Sequence, residues 1–371
     1  MTFDYSQTFR GLAGLPNTDN VPGSEMRYRD AFNLTLRAEL ERDPSVFVMG
    51  EDIAGGAGRF EKDGEVSYEE KKGFKPLDAW GGPFAATKGL IQDFGSERIK
   101  DTPISEAGVL GAAIGAALTG TRPVVDLMYF DFVTVAYDQL LSNAAKSRYM
   151  FGGQTKVPLT MFARSGAGTG HAAQHSESFY SMLVHIPGLK VVVPSDPLSV
   201  KGLLSASIRD DDPVFLVNDK KLINLSGFVP DAEVVFELGK GRYLRRGTDV
   251  TLIGMAYTSE ICRKVAEKLE DSGVSCEVID MLSLSPLDED IILESVSKTN
   301  KVVIVDEDTP MCSMASEISS IIADKGFDFL DAPIKKVNSP HTPVPYNRDL
   351  EFSFMPSEER VIKAIQEIVE Y

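Results

Sequence analysis

Apolar residues recur at helical spacing over residues 26–43, and the pattern then collapses into a five-residue apolar run, VFVMG, closed by Glu51 and Asp52. Similar short runs return at 123–130, 157–162, 189–193 and 214–217, alternating with helical stretches at 84–94, 110–119 and 134–146. Runs that are apolar throughout suit strands covered on both faces, and their alternation with helices predicts a mostly parallel sheet. Gly, Pro and charged residues cluster over 226–246, after which the pattern restarts. Strands are expected at 250–253, 275–279 and 301–305, with helices at 259–271, 288–296 and 313–323 and a last helix at 358–369. The expected fold class is therefore α/β: an arm at 1–24, a first domain at 25–228 and a second at 235–371. The length of 371 residues agrees, since a single core usually stops growing at about 250–300 residues.

Composition changes this picture little but excludes several functions. The hydrophobic fraction of 43% and charged fraction of 25% are those of a globular protein. A net charge of -17 repels phosphate backbones and anionic headgroups, so neither nucleic acid nor a membrane surface is an expected partner. Cys262, Cys276 and Cys312 are odd in number and lack metal spacing, which suggests reduced thiols and a cytoplasmic setting. The longest weakly polar stretch, 107–119, is shorter than the roughly 20 residues that span a bilayer, and the first 24 residues carry no signal-peptide pattern. Residues 55–82, rich in Gly and charge, are expected to form a long surface loop.

Three places carry candidate chemistry. His171 and His175 stand four apart in GAGTGHAAQHSES, a spacing that shares one helix face, but Ala172 occupies the position where a zinc-protease motif needs Glu. Gly166, Gly168 and Gly170 lack the third glycine of a dinucleotide fingerprint and read as a glycine turn delivering the histidines to the sheet's carboxyl edge. Glu106 directly precedes a helix; it is either a first-turn carboxylate stabilised by the helix dipole, with Ser105 as cap, or a carboxylate held stiffly at a sheet edge for chemistry. No GxSxG or GxxxxGK[ST] motif is present.

The segments MGEDIAGG, DTPISEAGVLGAAIGAAL, AAKSRYMFGG, AAQHSES, HIPGLKVVVPSDPLSVKGLL and SPHTPVPY resemble the beta subunits of the first (E1) components of 2-oxoacid dehydrogenase complexes, in order and from about residue 26 to the C-terminus. Within that family EDIAGGAG, DAWGG, VDEDTPMCSMASEI and HTPVPY are closer to the acetoin dehydrogenase branch than to the pyruvate or branched-chain enzymes. The resemblance implies a pyrimidine-binding domain followed by a transketolase-type C-terminal domain. It implies a heterotetramer of two alpha and two beta chains, thiamine diphosphate lying between chains, and a lipoyl-bearing acyltransferase (E2) that takes up the acyl unit. Magnesium and the diphosphate belong to the alpha chain's GDG motif in this family, and no GDG occurs here.

By the same resemblance Glu106 bonds the cofactor's pyrimidine N1′, a task that needs a carboxylate because the bond stabilises a protonated ring nitrogen. Phe132 stacks on the pyrimidine, and Glu51 relays protons or orients groups nearby, unless these are a core aromatic and a solvated loop acid. His175 stabilises the first adduct's oxyanion or assists transfer to lipoamide, and imidazole suits both tasks near neutral pH. His171 has no firm counterpart and is a substrate-tuning or supporting candidate. Ser207, Asp210 and Asp212 align with a potassium site of some family members, with Asp212 in place of the usual Asn; a plain turn is the alternative. A noncatalytic assembly subunit, in which Glu106 and His175 serve packing alone, is the reading of a different class.

Overall fold

A computed structural model describes residues 21–54, 60–67, 72–73, 75–76 and 81–371. Of the expected arm at 1–24 only 21–24 are described, and a strand already begins there at Gly23; half of the expected 55–82 loop also lies outside these residues. Within the latter, strands β3 (Phe60–Lys62), β4 (Glu65–Ser67) and β5 (Lys75–Pro76) form a small antiparallel sheet, so the segment is not loop throughout.

The first domain opens with β1 (Gly23–Arg27), α1 (Tyr28–Arg42) and β2 (Val46–Gly50). It continues through α2 (Leu90–Phe94), β6 (Ile99–Asp101), α3 (Glu106–Leu118), β7 (Arg122–Tyr129) and α4 (Ala145–Met150). Next come β8 (Thr160–Ser165), α5 (Tyr180–Val184), β9 (Lys190–Val192), α6 (Pro197–Arg209), β10 (Val214–Asp219) and β11 (Ser226–Pro230). Strands β8 and β10 are buried at every position, Arg164, Asn218 and Asp219 included, as in a sheet covered on both faces. Helix α6 starts where Asp196 and Ser199 satisfy each other's backbone N–H groups and Pro197 presets the first turn.

Two expected helices take other forms, and the glycine segment forms the expected turn. Residues 84–89 form turns, because Gly89 is left-handed (φ 79°) and α2 starts only after it. The 134–146 stretch divides into a 3-10 turn at Phe130–Thr134, a π-helical turn at Gln139–Ala144 and then α4. The histidine segment is a loop, with Gly166, Gly168, Gly170 and Ala172 all at positive φ, so helical spacing does not bring its two histidines together. The 226–246 break also contains structure: β11 pairs antiparallel with β1, tying the two ends of the first domain together.

The second domain holds β12 (Arg242–Arg245), β13 (Val250–Gly254), α7 (Tyr257–Glu270), β14 (Cys276–Asp280), β15 (Ser283–Ser285) and α8 (Glu289–Thr299). It ends with β16 (Val302–Asp306), α9 (Met314–Lys325), β17 (Lys335–Asn338), α10 (Arg348–Phe354) and α11 (Glu358–Val369). Its sheet runs β12-β14-β13-β16-β17, parallel except at β12. The first sheet runs β15-β9-β10-β8-β7-β2-β6, so a strand from the second domain completes it, antiparallel to β9. One hydrophobic cluster accordingly runs from Leu110 and Phe130 through Val217 to Ile253, Ile279 and Ile304 without a break at the domain seam.

Gly50, at the end of β2, faces β7 so closely that an added Cβ would sit 2.7 Å from the Asp126 carbonyl oxygen. The two strands that flank the site described below therefore need glycine there. Gly50→Ala is expected to cost about 1–3 kcal/mol through overpacking, read as a lowered urea midpoint. Gly115→Ala, whose methyl meets open space on α3, is expected to hold or raise the midpoint.

Candidate active site

The chain leaves β2 for β6 on one side and then crosses to β7 on the other, so the order reverses at β2. In open α/β sheets the carboxyl ends at such a reversal splay apart and leave a crevice for ligands. Glu51 follows β2, Glu106 opens α3 after β6, and Asp126 and Met128 lie near the end of β7. All four line one cleft with Thr102, Ile104 and Val109. Glu106 is half-buried in the first turn of α3, where the helix dipole favours its charge, whereas Ser105 makes no side-chain cap bond. The capping role expected of Ser105 is thus not adopted; its backbone is extended and its carbonyl oxygen accepts from Val109 N at 2.8 Å.

The cleft is acidic. Burial, then the charges of Asp52, Glu106 and Asp126, raise the Glu51 pKa above that of an ordinary carboxylic acid. Burial also raises Asp126, against the pull of Arg164, with which it forms a fully enclosed ion pair. Asp126 Oδ1 further accepts from Met128 N at 2.8 Å, holding Met128 at φ 58°, a left-handed conformation uncommon for a non-glycine residue. The Arg164 guanidinium lies over the Phe84 and Phe162 rings at 4.5 and 4.8 Å. Thr102 Oγ1, on the cleft wall, is buried without a partner.

A second wall is built from aromatic and imidazole rings around Tyr129. Its ring lies 4.5 Å from His175, 5.6 Å from His171, 6.1 Å from Phe132 and 5.3 Å from Phe84, centroid to centroid. Phe132 also stands 5.2 Å from His175, edge to face. The two histidines and Phe132 singled out in the sequence thus meet, through an aromatic that periodicity did not single out.

The backbone of the His175 segment is gripped on both sides. Asp131 Oδ1 accepts from Ser176 N and Glu177 N at 3.2 and 3.4 Å, and Lys220 Nζ donates to the His175 carbonyl oxygen. Burial pushes Lys220 down to about 8 and raises Asp131. Burial is also the first cause that lowers His171, with Lys220 and His175 adding repulsion. Sequence reasoning missed Tyr129, Asp131, Arg164 and Lys220. The only signal for the first two was LMYFDF, where aromatics and an acid alternate too densely for a plain strand.

The side chains of Ser207, Asp210 and Asp212 are engaged within the chain. Asp210 binds Lys190 Nζ at 2.7 Å, Asp212 binds Arg148 at 2.5 Å, and Ser207 Oγ donates to the Leu203 carbonyl at 2.7 Å. Arg122 Nη1 donates to the carbonyl oxygens of Ile208 and Asp210 at 3.1 and 2.8 Å, so the turn is braced by side-chain cations. Among the described residues no group of three or more His, Cys, Asp or Glu is arranged to hold a metal, and no helix is long and apolar enough to cross a membrane.

Comparison with known proteins agrees with this arrangement. The transketolase pyrimidine-binding domain matches residues 24–225 and the transketolase C-terminal domain residues 239–361. The acetoin:2,6-dichlorophenolindophenol oxidoreductase subunit beta of Bacillus subtilis (strain 168) is 45% identical, over 92% of this chain and 96% of its own length. The 2-oxoisovalerate dehydrogenase subunit beta of the same organism is 39% identical, over 94% and 100%. The pyruvate dehydrogenase E1 component subunit beta of Rickettsia felis is 37% identical, over 94% and 99%. Among solved structures, a split-gene transketolase described as an inactive beta4 tetramer shares the fold, with TM-score 0.68 and 20% identity over 93% of this chain and 99% of its own. The chain belongs to the family of E1 beta subunits of the 2-oxoacid and acetoin dehydrogenase complexes, with its acidic cleft in the transketolase pyrimidine-binding domain.

Proposed function

We propose that this chain is one half of a thiamine-diphosphate-dependent active site that cleaves acetoin oxidatively and passes the acyl unit to lipoamide on an acyltransferase partner. Decarboxylation of pyruvate or a branched 2-oxoacid is the second reading. The higher identity to the acetoin enzyme's beta subunit favours the first. The observation that carries the proposal is the meeting of Glu106 with an acidic cleft at the sheet's switch point, beside the ring wall of Phe132, Tyr129 and His175.

The cleft fits the pyrimidine end of the cofactor: a half-buried carboxylate, an unpartnered Thr102 hydroxyl and the apolar Ile104, Val109 and Met128 surround it. Thiamine diphosphate supplies the electron sink for carbon-carbon cleavage when bound. Glu106 holds the proton of the pyrimidine N1′ through a charge-assisted hydrogen bond, and Phe132 offers that ring an apolar face. Glu51, with its raised pKa, is poised to exchange a proton at the cleft mouth. His175 orients the substrate oxygen and moves a proton to or from it.

Among the described residues that line the cleft there is no lysine or arginine, and three carboxylates repel a diphosphate. The diphosphate and its magnesium therefore need a second chain, which supports an alpha partner; the α2β2 stoichiometry of the proposal rests on the family resemblance alone. The Ser207–Asp212 turn acts in this proposal as a salt-bridged brace and holds no potassium.

The assembled alpha–beta pair with thiamine diphosphate and magnesium is expected to reduce dichlorophenolindophenol with acetoin as donor; reduction with none of acetoin, pyruvate and branched 2-oxoacids refutes the reading. Glu106→Gln is expected to lower turnover by about 100-fold or more and His175→Ala by a comparable factor, with assembly unchanged by gel filtration. Full activity in both variants would make the chain an assembly subunit. Lys220 yields a pH prediction. Its pKa of about 8 lies below the ordinary lysine value, so the folded chain releases this proton where an unfolded one keeps it. The cost of burying the charge is complete below pH 8 and fades as pH rises. Turnover is expected to fall as pH rises through about 8, when the charged grip on the His175 carbonyl is lost. Lys220→Gln is expected to remove that limb and lower the plateau, as a kcat profile from pH 6 to 9.5 will report.

A further inference from the structure

The glycine loop that ends in His171 is held from the other domain. Glu351, on α10, is 1% exposed. Its carboxylate accepts from the main-chain N–H groups of Gly168 at 2.7 Å, Thr169 at 3.2 Å and Gly170 at 3.2 and 3.1 Å to its two oxygens. Three successive N–H groups turned onto one anion make the kind of concavity that proteins use for phosphate; here the anion is a side chain of the same chain. Gly168 is left-handed (φ 92°), and a Cβ there would stand 2.8 Å from Met355 Sδ, so conformation and packing both require glycine. One residue upstream, Glu307 accepts from Ala167 N at 2.5 Å and pairs with Lys221 Nζ at 3.1 Å.

Helix α10 buries only Glu351 and Phe354, while Leu350 and Phe352 are exposed. A helix so short and so lightly packed does not need a buried carboxylate for its own sake, because a carboxylate out of water is costly unless donors meet it. The donors are those of the histidine loop. Beyond the clamp, Thr169 Oγ1 lies 2.8 Å from His171 Nδ1, and the His171 ring rests against Tyr129, which also carries His175. The groups facing His171 are Lys220 and His175, which disfavour its imidazolium, and Glu351, which favours it.

We propose that Glu351 is a positioning residue for the reaction: by gathering the N–H groups of residues 168–170 it sets where His171 stands on the ring wall, and so lets the C-terminal domain govern substrate placement. This rests on the assignment of that wall to substrate handling. The test uses the assembled alpha–beta pair. In Glu351→Gln, amide exchange in the peptide covering residues 166–171 is expected to speed up about tenfold, with α11 and β13 unchanged. In acetoin-driven dye reduction kcat is expected to fall about tenfold with KM within about twofold, whereas in a His171→Ala background the same substitution changes kcat less than about twofold. Thr169→Val, which removes only the hydroxyl beside His171, is expected to lower kcat about threefold, again only when His171 is present. Unchanged loop exchange, or equal losses in both backgrounds, overturns the proposal. A wild-type pair inactive on every substrate counts against the reading of the site, and the exchange experiment still decides the clamp.

Discussion

A carboxylate removed from water must be met by donors, and in this chain those donors are largely the main-chain N–H groups of the loops around the site. Asp126 takes Met128 N, Asp131 takes Ser176 N and Glu177 N, Glu307 takes Ala167 N, and Glu351 takes the three amides that follow. Each buried charge thereby fixes a loop that short-range propensity leaves undetermined. Without them the 166–177 segment has neither helix nor ladder to define its course, although it carries both histidines of the site wall.

The same groups give the site its electrostatic character. Four acids near or at the sheet's carboxyl edges, Glu51, Asp126, Asp131 and Glu177, have their pKa values raised chiefly by burial. At the domain seam Asp219 and Asp308 are carried to about 7 and about 8 by burial, with Glu307 and Asp306 respectively adding repulsion. Carboxylates raised in this way sit closer to neutral pH and exchange protons more readily than exposed ones.

The parts of this arrangement legible in the sequence were those with a period or a motif. Strands such as VFLVND and VVIVD open on unbroken apolar runs and lie where expected, and the last helix, Glu358–Val369, falls where its helical spacing places it. Glu106 and His175 were singled out by motifs, and the structure sets the first in the acidic cleft and the second against Tyr129. What escaped was set by distant contacts. RDLEFSF reads as a surface helix, and nothing within it signals that Glu351 reaches a loop about 180 residues earlier. Nothing within the Ser207–Asp212 turn signals that Arg122, Arg148 and Lys190 reach it from elsewhere in the chain. Helical spacing misdescribed 134–146, where a π turn overrides it.

The strand that crosses between domains bears on how the chain is made. During synthesis β9 emerges with one edge unpaired, and its partner β15 appears only about 90 residues later, after β12, β13 and β14. Until then the first domain carries an open, apolar strand edge of the kind that recruits other chains. The nascent first domain is thus a candidate client for chaperones, and a ribosome stalled between the two domains releases a sheet that has yet to be closed.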